Sequence, residues 1–265
     1  MKPKPKQPVM TIAIGFACKD GIVVASDSQM STGTKYKQPN EPKIGVLKFS
    51  GDQYAILAIA GSLAGARCFQ QILEIDTVSL KITDERSIAN CAESALKKTR
   101  SKMLDYADHP SLAGDGKQAH LDQLDFEVLL AYYFDGKPFI YGLSLSNGIA
   151  IRGRHPYEAI GCGSDVAGVI LTGADFSSYL TEEAIGLAFY TIEACKKFDQ
   201  ACGGPIQHLI LDASGKHAPA PLSKQKSDWY EEAVRKIDQD TQLLISQSIY
   251  AAVQEAYFKV VQDLI

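Results

Sequence analysis

Apolar residues fall along this chain in short runs broken by turn residues, and the period of the runs switches five times between strand and helix. Residues 11–17 (TIAIGFA) and 21–26 (GIVVAS) are nearly continuous in Ile, Val and Ala, with Asp20-Gly21 between them as a hairpin signal. A second hairpin is predicted from Lys43 to Phe49, a turn at Ser50-Gly51-Asp52, and Tyr54 to Ala60. In residues 61–75 (GSLAGARCFQQILEI) small residues lead into Phe69, Ile72 and Leu73 at helical spacing. From Ser87 to Tyr106 a second helix carries Ala92, Ala95, Leu96 and Met103 on one face.

The strand pattern then returns at 126–134 (FEVLLAYYF), 138–145 (PFIYGLSL) and 149–153 (IAIRG), with turns at Asp135-Gly136 and Asn147-Gly148. Helices are predicted at Ser164–Leu171 and Thr181–Lys197, the second with Thr181 as N-cap and Glu182 and Glu183 in its first turn. Residues 205–215 read as a strand ending in a turn. After the polar stretch 217–227, a helical pattern runs over 228–264, with Leu244, Ile249 and Val253 at steps of three and four. The order ββββ–αα–βββ–αα–β–α predicts an α+β fold, helix pairs layered on antiparallel sheets. With no internal repeat and no linker, residues 11–265 are expected to form one domain. Residues 1–10 form an N-terminal extension and 228–264 a C-terminal helical one.

Composition removes function classes without choosing one. A formal charge of −4 and a pI near 5.8 argue against nucleic-acid binding, which needs a clustered basic face. No apolar run reaches the roughly 18 residues of a membrane helix, and MKPKPKQPV lacks the apolar stretch of a secretory signal. The cysteines at 18, 68, 91, 162, 195 and 202 show no metal-binding spacing and are expected as reduced thiols of a cytoplasmic protein. No cofactor or metal is expected. The five histidines are scattered and read as solvated or hydrogen-bonded structural residues, and Tyr132-Tyr133 as core packing.

Asp27 ends the second strand and Lys43 begins the third, so adjacent antiparallel strands would bring them together. On spacing alone this reads as a surface ion pair. Thr11 adds a hydroxyl at the head of the neighbouring first strand. A threonine that is N-terminal can use its own α-amine, with a pKa near 8, as the base that activates its hydroxyl.

The stretch TIAIGFACKDGIVVASDS resembles the start of a mature proteasome β-subunit: Thr, a hydrophobic strand, a turn Gly, and an Asp sixteen residues on. Asp27 lies sixteen residues after Thr11 and Lys43 thirty-two after it, the family's position for its lysine. AIAGSLAGA resembles the turn that supplies an oxyanion donor, HPYEAIGCGSDVAGVIL the Gly-Ser-Gly segment opening the third helix, and FDQACGGPIQHLIL the Asp-x-x-Ser-Gly-Gly turn. The likeness covers residues 11 to 212 and is closest to stand-alone bacterial, ancestral-type β-subunits. It implies the four-layer αββα sandwich of N-terminal nucleophile hydrolases.

By that likeness Thr11 is the nucleophile and its freed α-amine the base. Lys43 lowers the pKa of both, Asp27 holds Lys43, and Asp199 supports Thr11 from the late turn. A backbone N–H of Gly61, Ser62 or Leu63 meets the oxyanion, with Leu63 at the donor position by count. The chain departs from the pattern at three places. Cys162 and Cys202 replace serines, Gln29 of Asp27-Ser28-Gln29 replaces an arginine, and Met10 precedes Thr11 where self-processing relatives have Gly. The simplest route to a free Thr11 is translation from Met10 with removal of that methionine; a short propeptide cut at Met10–Thr11 is the other. The implied function is a threonine-type endopeptidase acting on peptide or unfolded protein. It would work in a homo-oligomeric ring or spiral, with an ATP-dependent unfoldase as a possible partner. The rivals are an amidohydrolase of the same fold acting on a small amide, and a non-catalytic assembly subunit.

Overall fold

Strands β1 (Ile12–Ala17) and β2 (Gly21–Asp27) are buried along almost their whole length rather than on alternate residues. That is the mark of strands covered on both faces, and it explains their uninterrupted apolar sequences. The computed structural model describes residues 11–32, 36–38, 41–49, 52–78, 80, 82–107, 124–145, 156–173 and 175–239 of the chain. It divides the chain into two units at Leu222–Ser223.

In the first unit β1 and β2 pair antiparallel and lie at the centre of a four-stranded sheet of order β10-β2-β1-β9, where β9 is Tyr157–Gly161 and β10 is Ile206–Asp212. A second antiparallel sheet has the order β5-β6-β7-β8: Ile44–Phe49, Gln53–Gly61, Phe126–Phe134 and Lys137–Ser144. Its inner face packs on the first sheet through one apolar cluster that joins Ala13, Ile22 and Val24 to Ile56, Ala58, Leu129, Ala131 and Ile140. Its outer face packs on α1 (Leu63–Val78) and α2 (Ser87–Ala107) through a second cluster that includes Phe69, Leu73, Ala92, Leu96, Phe126 and Tyr132. Helices α3 (Ser164–Leu171) and α4 (Thr181–Phe198) cover the first sheet, α4 burying Ala184, Ile185, Ala188, Phe189 and Ile192. The unit is thus a four-layer αββα sandwich. A small ribbon, β3 (Met30–Thr32) with β4 (Tyr36–Gln38), follows β2.

Most local expectations have a visible cause. Asp135 and Gly136 both take positive φ, 51° and 70°, as a two-residue hairpin of the primed type requires. Tyr132 is fully buried and gives its hydroxyl to the Glu85 carbonyl. Thr181 is not the N-cap of α4; Leu180 occupies that position. The Thr181 amide and hydroxyl go to Asp20 in the β1–β2 turn, and Glu183 reaches back to the Leu180 amide. Strands β3, β4 and β9 and a 3₁₀ turn at Phe176–Ser178 had no clear signature, being three to five residues long. The strand expected at 149–153 and the Asn147-Gly148 turn lie outside the described residues, as do residues 1–10, Ser50-Gly51 and 240–265. In the second unit residues 224–239 are helical, covering the first part of the segment expected over 228–264. Among the described residues no helix is long and apolar enough to cross a membrane.

Candidate active site

The β1–β2 pairing sets Ala13 opposite Ser26, so the head of β1 necessarily meets the end of β2. Asp27, fully buried, accepts at Oδ1 from the Thr11 hydroxyl at 2.6 Å and from the Ile12 amide at 3.1 Å. Ser26 ties the same corner by giving its hydroxyl to the Ile12 carbonyl at 2.9 Å. Thr11 itself is 1% exposed.

Lys43 does not arrive along the adjacent strand, as the sequence pattern suggested. It precedes β5, which belongs to the facing sheet, and so reaches Asp27 across the sandwich. Its backbone is held at both ends: its amide donates to Gln207 Oε1 on β10 at 2.9 Å, and its carbonyl accepts from Ile59 at 3.0 Å. Gln207 also donates to the Glu41 carbonyl at 2.7 Å, so one amide side chain clips residues 41–43 to the edge of the first sheet. From there Lys43 Nζ donates to Asp27 Oδ1 at 2.8 Å and to Thr11 Oγ1. Burial lowers the Lys43 pKa from 10.5, and the Asp27 carboxylate offsets only part of that. The ammonium is therefore readier to give up its proton than a surface lysine.

A late turn completes the support of Asp27. Gly203 donates its amide to Asp27 Oδ2 at 2.9 Å, and its carbonyl accepts from the Ser28 and Gln29 amides. Gln29, at the position where the resemblance expects an arginine, donates Nε2 to the carbonyls of Gln200 and Ala201 at 3.2 and 3.1 Å. A neutral amide thus holds the turn by hydrogen bonds alone. A Cβ on Gly203 would stand 2.4 Å from Gln29 Oε1, so a side chain there would displace the Gln29 amide.

The other flank is built by β9, the strand the sequence pattern did not reveal. It pairs with β1, setting Ile12 opposite Gly161. Gly161 has φ +92°, and a Cβ there would stand 2.2 Å from the Thr11 carbonyl oxygen. Next to it, Cys162 Sγ lies 3.3 Å from that same oxygen and 3.7 Å from Cys202 Sγ. Of the two cysteines at positions where the resemblance expects serine, Cys162 is thus beside Thr11 and Cys202 touches Cys162. Asp199 ends α4, and its Oδ1 accepts from the Ala201 amide at 2.8 Å. None of its hydrogen bonds goes to Thr11; its carboxylate groups instead with the two thiols, the ligand atoms all within 4.8 Å.

Of the three backbone donors, Ser62 gives its N–H to the Asp125 carbonyl at 2.9 Å and Gly61 closes β6 opposite Phe126. Leu63 opens α1, where first-turn amides have no intrahelical acceptor. His208 is buried and accepts from the Leu222 amide, and His217 pairs with Asp212, both away from this corner. Gln207 and the backbone of Gly203 are contributors that sequence reasoning did not assign, although the glycine doublet of the turn at 199–204 marked the place of the second.

A family model described as "Proteasome subunit" matches residues 10–211, which span every group of this corner. The chain belongs to the proteasome subunit family. As a family member it is 23% identical over 208 residues to "Proteasome subunit beta 1" of Thermococcus onnurineus, covering 77% of this chain and 90% of that protein. Among solved structures it is similar to "Anbu (ancestral beta-subunit)" from Yersinia bercovieri, with a TM-score of 0.70 and 13% identity over 89% of this chain and 96% of that one. It is also similar to the "Helical Assembly of the Anbu Complex from Pseudomonas aeruginosa", with a TM-score of 0.69, 15% identity and the same coverage. These likenesses agree with the sandwich described above and with a proteasome-like N-terminal nucleophile fold.

Proposed function

We propose that this proteasome-family chain is a threonine-type endopeptidase subunit whose nucleophile is Thr11, exposed by loss of residues 1–10. One observation carries the reading: the Thr11 hydroxyl, buried at the head of the central strand β1, is bonded at once to Asp27 and to a lysine whose pKa burial has lowered. The Lys43 ammonium beside that hydroxyl is placed to stabilise the alkoxide as the proton leaves.

In the proposed cycle the freed α-amine of Thr11 takes the hydroxyl proton as Oγ1 attacks the substrate carbonyl. Lys43 supplies the positive charge and Asp27 fixes its position. The Leu63 amide meets the oxyanion. The amine then protonates the leaving group, and a water activated by the same amine releases the acyl group from Oγ1. Asp199, Cys162 and Cys202 support the turns around Thr11. The substrate is peptide or unfolded protein, and assembly is as a homo-oligomer; the helical assembly of the Pseudomonas aeruginosa neighbour supports the spiral form. An ATP-dependent unfoldase is the partner such an assembly would need for folded substrates.

The test combines the natural protein's intact mass with an epoxyketone probe. The expected result is a chain beginning at Thr11, one covalent adduct per chain, and loss of peptide cleavage in Thr11→Ala with circular dichroism unchanged. Retention of Met1 with no adduct would overturn the reading in favour of a non-catalytic assembly subunit. Cleavage of small capped amides without cleavage of unstructured polypeptide would favour the amidohydrolase.

A further inference from the structure

Cys162, Asp199 and Cys202 come from two separate places, the turn after β9 and the turn between α4 and β10. Their ligand atoms nonetheless all lie within 4.8 Å of one another. Cys162 and Asp199 are half-buried and Cys202 is 4% exposed, so the group is backed by protein and reachable from one side. We propose that these three side chains form a binding site for a thiophilic divalent metal ion, zinc foremost. The ligands are Cys162 Sγ, Cys202 Sγ and a carboxylate oxygen of Asp199, with water in the fourth position.

The geometry separates this from the alternative use of two neighbouring thiols. Two sulfurs on one tetrahedral zinc, each about 2.3 Å from the metal, stand about 3.8 Å apart. Cys162 Sγ and Cys202 Sγ are 3.7 Å apart, so an ion seats between them without movement of either turn. A disulfide would require the sulfurs to close from 3.7 Å to about 2.0 Å. Two thiols with one carboxylate are also a donor set that favours zinc over magnesium or calcium, which take oxygen ligands.

The surroundings hold the ligands in place. Asp199 Oδ1 accepts from the Ala201 amide at 2.8 Å, and the Cys202 amide donates to the Asp199 carbonyl at 3.0 Å, orienting the carboxylate toward the thiols. On the other flank the Cys162 thiol donates to the Thr11 carbonyl, and it gives up that hydrogen bond with its proton when the metal enters. Charge is conserved as well. Zinc enters as its two thiol protons leave to solvent, the carboxylate already being anionic, so no uncompensated charge is added beside Lys43. No group is oxidised or reduced, and affinity rises with pH because two protons are released. Sequence spacing concealed the site because its two thiols are 40 residues apart.

The experiment uses the full chain with zinc alone, counted by native mass spectrometry after equilibrium dialysis. A cadmium titration followed by thiolate-to-metal ultraviolet absorption reports the ligand type. The expected result is one ion per chain with two thiolates. It should be unchanged in Thr11→Ala and in the Cys68→Ser/Cys91→Ser double variant, weakened about tenfold or more in Asp199→Asn and in Cys162→Ala, and lost in Cys162→Ala/Cys202→Ser. Full-strength binding in that last variant, or no uptake by the unaltered chain, would overturn the proposal. Thr11→Ala keeps this result independent of whether Thr11 is a nucleophile, and the partly exposed Cys162 and Asp199 supply variants that do not rest on changing the buried Cys202.

Discussion

Gly203 and Asp27, 176 residues apart in the chain, are joined by a 2.9 Å hydrogen bond from the glycine amide to Asp27 Oδ2. It leaves Oδ1 for Thr11, Ile12 and Lys43, so the two carboxylate oxygens divide the work of holding the turn and holding the site.

Asp27→Asn should abolish cleavage and lower stability by about 3 kcal/mol, since it strands a buried ammonium without its counter-charge. Lys43→Met should also abolish cleavage but cost less stability. Asp27 would keep three donors, the Thr11 hydroxyl and the Ile12 and Gly203 amides. Urea denaturation of both variants reads the order, and equal losses would contradict it.

Two glycines should differ sharply. Gly161→Ala places a methyl against the Thr11 backbone at a positive φ, where neither partner can yield, and should cost about 3 kcal/mol or prevent folding. Gly203→Ala meets only the movable end of Gln29, displacing the two hydrogen bonds that Gln29 makes to the turn, a loss of about 1–2 kcal/mol. Thermal unfolding of the pair checks the ranking.

Gln207 is a positioning residue that acts through Lys43. Gln207→Ala frees residues 41–43 from the edge of the first sheet and should lower kcat about tenfold with little change in KM. Gln207→Glu keeps the acceptor for the Lys43 amide but not the donor to Glu41, and should recover part of the rate. A KM effect alone would point to substrate binding instead.

Burial holds the Lys43 pKa below 10.5, so between its folded value and 10.5 the unfolded chain binds the extra proton. Raising pH through that window therefore favours the folded state. The stability of the unaltered protein minus that of Lys43→Met should rise with pH there and level off above 10.5. Buried Cys18 and Cys195, raised to about 12 and about 11, bend both curves downward above pH 9 and cancel in the difference. A flat difference would show that Lys43 keeps its ordinary affinity for protons.

The legible part of this protein was local. The Asp20-Gly21 turn forces β1 and β2 antiparallel, and from that alone Asp27 must lie beside Thr11. Helices α1 to α4 and most strands were readable because their apolar periods are long or their turns are specific. Strand β9 was not, because five residues with a mixed pattern carry no period, yet it delivers Gly161 and Cys162 to Thr11. Lys43 was legible as a site residue only through family likeness, since spacing alone made it a surface ion pair.

By itself, then, the sequence determined the layered α+β class and the meeting of Thr11 with Asp27, because hairpin pairing is decided by residues close along the chain. Only the tertiary structure decided that Lys43 comes from the facing sheet, that Gln207 and Gly203 hold the corner, and that the Asp199 carboxylate groups with two thiols. Those contacts follow from which apolar faces stack and which strands become neighbours. That choice is made by burial summed over both sheets and four helices, which no short stretch of residues encodes.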